Sequence, residues 1–71
     1  MHAATSYRRI DVRSAEYAVG LFGDDAPQVL ARRAADLAEA AAWATGSRRQ
    51  ALKRRQRRTE RVLALVARGA S

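Results

Sequence analysis

The chain has 71 residues, no cysteine, one histidine and a formal net charge of +7; at that size only about 60% of the unfolded surface is buried, so one marginally stable domain is expected. Disulfides and thiolate metal sites are excluded, and His2 has no second ligand type near it in the sequence, so no metal or other cofactor is expected. No stretch approaches the ~18 apolar residues that span a bilayer and the first ten residues lack the apolar core of a signal peptide, so a cytoplasmic protein with no membrane partner is expected.

Residues 1–10 read as a flexible segment ahead of a single helical domain over 11–69. Asp11 can cap a first helix from about Val12 to Phe22, in which Val12, Ala15, Val19 and Phe22 recur at three- and four-residue spacing. Gly23 closes it, since glycine accepts the left-handed backbone common at a helix C-terminus. Asp24 or Asp25 can then cap the next helix, with Pro27 tolerated in its first turn. Capping, rather than a catalytic carboxylate pair, is the reading of these two acids.

The second helix is predicted over 26–45. Leu30, Ala34, Leu37, Ala41 and Ala44 form an unbroken seam of heptad type, thin because alanine allows close approach but buries little apolar area. Gly46 ends this helix, and Ser47 with Gln50 gives a Ser-x-x-Gln capping box for a third helix over about 48–68, closed by Gly69. The short turn predicts an antiparallel hairpin in which Leu30 lies level with Val62 and Ala41 with Ala51 and Leu52. The core then belongs at the open end, with Val29, Leu30, Val62, Leu63 and Val66 joined by Val19, Leu21 and Phe22 from helix one. The fold class is all-α: three helices, a short N-terminal one packed on a long antiparallel hairpin.

The stretch Gly23-Asp24-Asp25-Ala26-Pro27-Gln28-Val29-Leu30-Ala31-Arg32-Arg33, continuing to Leu37-Ala38, covers about a quarter of the chain. It resembles a segment of small uncharacterised bacterial helical proteins that read Gly, Asp or Glu, Asp, Ala, Pro, two variable residues, Ile or Leu, Ala, one variable residue, Arg. The resemblance implies a small helical bundle and assigns no activity. In those proteins a Trp follows in a third helix, whereas here Trp43 precedes the turn. Thirteen arginines against one lysine, with abundant alanine, also match the codon bias of a GC-rich bacterial or phage genome.

Function is concentrated in one segment. From Arg48 to Arg61 eight bases (Arg48, Arg49, Lys53, Arg54, Arg55, Arg57, Arg58 and Arg61) meet one acid, Glu60, so this segment alone accounts for the net charge. At 100 degrees per residue from Leu52, the residues Lys53, Arg54, Arg57, Arg58, Arg61 and Arg68 fall between about 100 and 240 degrees, as one band. Each i,i+4 like-charge pair in it costs roughly 0.2 to 0.5 kcal/mol, and Arg48 and Arg49 oppose the helix macrodipole by a further ~0.3 to 1 kcal/mol. Asp36 and Glu39 can pair with part of the band, which otherwise is a solvated face or a surface for an anion. Guanidinium favours the second, because it contacts phosphate or carboxylate in bidentate fashion.

Trp43 falls off the alanine seam. At the tip beside Arg48 and Arg49 it can stack on a base or anchor a protein; alternatively it caps the thin end of the hairpin or lies in a homodimer interface. No nucleophile–base pair, phosphate loop or metal-ligand spacing is present, so a non-enzymatic binding protein is expected. The leading expectation is a regulator or accessory factor that places Arg48, Arg49, Lys53, Arg54, Arg57, Arg58 and Arg61, with Trp43, on nucleic acid, DNA or RNA. The alternative is an inhibitor, adaptor or complex subunit that docks the same face on an acidic protein. Self-association as a homo-oligomer is compatible with both.

Overall fold

The computed structural model describes residues 9–69, and all of these except Ala44 and Thr45 are helical. Helix α1 is Arg9–Phe22, a 3-10 turn spans Gly23–Asp25, α2 is Ala26–Trp43 and α3 is Gly46–Gly69. The described chain is therefore all-α and contains no strand. It forms two helical stretches rather than three separate helices, because α1 passes through the 3-10 turn into α2 without a non-helical residue. Residues 9 and 10, expected in a flexible segment, are part of α1, and the remainder of that expectation falls on 1–8, outside the described residues.

Glycine sets both bends. Gly23 has φ +55° and Gly46 φ +62°, a region that costs an L-residue roughly 1–2 kcal/mol. Among the described residues no atom lies within 4 Å of where a Cβ would stand at either position, so the requirement is conformational and not steric. Gly23→Ala and Gly46→Ala are each expected to destabilise the fold by about 1 kcal/mol, whereas Gly20→Ala, inside α1 with the same open space, should stabilise it by about 0.5–1 kcal/mol. Chemical denaturation followed by far-UV circular dichroism separates the two signs.

The capping scheme differs from that expected. Asp25 stands at the entry to α2 but makes no side-chain cap bond, and neither does Phe22 ahead of the turn; the charges of Asp24 and Asp25 lie in the first turn of the 3-10 segment. Pro27 does lie in the first turn of α2. At the hairpin, the Thr45 carbonyl accepts the first bond of α3, from the Arg49 amide at 3.4 Å. Helix α3 thus starts two residues earlier than expected, and Ser47 sits inside its first turn instead of capping it.

Helices α2 and α3 form the predicted hairpin. Leu30, Ala34 and Ala41 are buried on α2, and Leu52, Val62 and Val66 on α3. Leu30 shares a core with Val62 and Val66, as an antiparallel pairing requires, and Leu63 and Leu65 pack against it. The core is at the open end as expected, but α1 supplies Ala15 and Ala18 to it; Val19, Leu21 and Phe22 are exposed. Every apolar residue of α1 larger than alanine stays at the surface.

Candidate functional site

Asp11 shares the buried face of α1 with its alanines. This residue was expected to cap α1; instead it lies within the first turn, 0% exposed, on the face that continues through Ala15 and Ala18. Its Oδ2 accepts a hydrogen bond from Nε of Arg61 at 3.1 Å, an ion pair between α1 and α3. Small side chains at Ala15 and Ala18 let the two backbones come close enough for that contact. One turn along each helix, Nη2 of Arg58 donates to Oγ of Ser14 at the longer distance of 3.4 Å.

This arrangement divides the arginine band. Arg61, expected among the residues that meet an external anion, is committed to Asp11, and its side chain is only 33% exposed. The band therefore does not run the length of α3. Toward the hairpin tip the situation is different: Arg48, Arg49, Arg54, Arg55, Arg57 and Arg58 are exposed, with Lys53 half-buried. Asp36 and Glu39 are exposed, and among the described residues neither forms an ion pair with these arginines. Glu60, the one acid within the segment, accepts a hydrogen bond from Nε2 of Gln56 at 3.1 Å. The like charges at successive turns of α3 are thus left to water.

Trp43, the last residue of α2, is 84% exposed. It does not cap the hairpin end within this chain, which removes one of its two structural explanations. Ala44 and Thr45 are all that separate it from α3, whose first turn contains Arg48 and Arg49 and no acid. An aromatic face and the Arg48 and Arg49 side chains therefore belong to the same end of the hairpin. Such a set can stack on a planar group and contact anionic oxygens; it holds no proton-transfer pair. Among the described residues no three His, Cys, Asp or Glu side chains gather as metal ligands would, and no helix is long and apolar enough to cross a membrane.

Neither the burial of Asp11 nor the exposed flank of α1 follows from the apolar periodicity of that helix. Ile10, Tyr17 and Leu21 line a groove with residues of α2 and α3, and they are 52%, 71% and 58% exposed. A signal for this existed. Asp11, Ser14, Ala15 and Ala18 form a narrow small-residue face at helical spacing, which marks close approach as much as large apolar residues mark a core. No known family model matches the chain, and no curated protein or solved structure matches it either.

Proposed function

We propose that this chain is a non-enzymatic binding protein whose α3 lies its tip-proximal arginines along nucleic-acid phosphates, serving as a small regulator or accessory factor. One observation carries the reading: Arg48, Arg49, Arg54, Arg57 and Arg58 are exposed, and among the described residues none has a carboxylate partner. Their mutual repulsion is relieved by an anionic ligand, and a ligand that binds only the folded state stabilises it. A polyanion suits a row of charges better than a single ion, because each engaged phosphate releases condensed counterions.

Adenine edges are a poor fit, because Asn and Gln read them and the segment has only Gln50 and Gln56, the latter already donating to Glu60, whereas arginine serves both phosphates and guanine edges. Trp43 supplies a stacking surface, which suits unpaired bases and is tolerant of sequence. The test is a set of gel shifts on duplex DNA, single strands and structured RNA at increasing salt, run beside a nuclease-treated pull-down. Salt-sensitive shifts support the reading. Co-purification with one acidic protein and no shift of any nucleic acid replaces it with docking of the same face on protein.

A further inference from the structure

A groove of about 800 Å³ runs between α1 and the hairpin. From α1 it takes Ile10, Tyr17 and Leu21, which recur at seven- and four-residue spacing on the flank next to the packed alanine face. From α2 it takes Val29, Arg33 and Leu37, one turn apart. The buried core residues Leu30 and Val62 also line it, so its base is the core itself. A marginal domain that leaves Tyr17 and Leu21 mostly in water over an apolar trough keeps a surface that folding did not need.

We propose that this groove receives an amphipathic α-helix of another protein, with an apolar stripe flanked by Asp and Glu. The walls are themselves helical stripes, and a fourth helix laid between them would complete a bundle by the ridge-and-groove packing that joins α2 to α3. The α1 stripe from Ile10 to Leu21 covers about 16 Å of helix axis, room for roughly three turns of a partner. Charge selects the flanks. Among the described residues Arg13, Arg33, Arg55 and Arg58 line the groove against one acid, Glu16, so an acidic helix is attracted and a basic one repelled. The same excess argues against a second copy of this +7 chain as the occupant. A planar anionic membrane would reach the arginines but not the base of a concave trough. The proposal stands apart from the phosphate-binding reading, with which it shares only Arg58.

Selection of displayed amphipathic peptides of about 14 residues on the immobilised full chain tests this, with the flanking positions randomised among acidic, neutral and basic residues. Leu or Phe at helical spacing with acidic flanks should be enriched. Isothermal titration calorimetry should then show binding of the best peptide about tenfold or more weaker for Tyr17→Ala/Leu21→Ala, whose exposed positions leave folding intact by circular dichroism. The double variant keeps every arginine, so its gel shifts on nucleic acid should be unchanged. Enrichment of basic flanks, no enrichment at all, or equal binding by the double variant would overturn the proposal. So would a self-associated species in sedimentation, or adsorption to anionic vesicles, that the double variant abolishes while the peptide fails to bind.

Discussion

Replacing Arg61 with alanine is expected to lower the unfolding free energy by about 3 kcal/mol, a large part of what a domain this small possesses. The carboxylate of Asp11 is fully buried and accepts the Arg61 Nε–H at 3.1 Å. Removing the guanidinium takes a charge-assisted hydrogen bond from a carboxylate that water does not reach, and losing one partner of a buried ion pair costs more than losing an exposed one. Water reaches part of Arg61, which holds the loss at the low end of the range for buried pairs. Asp11→Ala should cost less, since Arg61 can turn to solvent, and the double variant Asp11→Ala/Arg61→Ala should be more stable than Arg61→Ala alone. Urea unfolding of the four proteins gives the coupling directly. A loss of only a few tenths of a kcal/mol in Arg61→Ala would mean that α1 is not held by this pair.

The salt dependence of nucleic-acid binding carries the second large effect. If five of the exposed arginines, Arg48, Arg49, Arg54, Arg57 and Arg58, each engage a phosphate of duplex DNA, log affinity should fall with log salt with a slope of about −4 to −5. Between about 50 and about 200 mM salt that slope weakens binding roughly 500-fold. The triple variant Arg54→Ala/Arg57→Ala/Arg58→Ala should shorten the slope by roughly 2 to 3, the share of the three contacts removed. Under conditions where Arg61→Ala remains folded, the slope should not move, because that guanidinium belongs to Asp11. Binding indifferent to salt, or a slope that shrinks equally with Arg61→Ala, would dismiss the assignment of phosphates to the tip of α3.

The contrast between these two groups of arginines marks the limit of sequence reasoning for this chain. The hairpin was legible: Leu30, Ala34 and Ala41 recur with a period that only one helix face satisfies, and glycines with positive φ stand where the chain must bend. Helix α1 was not. Its apolar residues occupy two flanks, Ile10, Tyr17 and Leu21 on one and Val12 and Val19 on the other, so periodicity offers no single buried face. What chooses between them is a contact with a residue fifty positions away, Arg61. Charge at Arg61 was evident from the sequence, whereas its partner depended on which way α1 turned. The arginines nearer the turn were easier to place, because too few acids exist anywhere in the chain to pair with them.

The indole at the hairpin tip makes the molecule its own reporter. Trp43 is the only tryptophan, and in the folded protein it already stands in water. Its fluorescence should therefore change little when urea unfolds the chain, and a flat emission trace during a full loss of ellipticity is the expected signature. Stacking on a base would quench the same emission, while a helix seated beside Tyr17 and Leu21 should leave it untouched. One intrinsic probe thus distinguishes the two ends of the protein without any label.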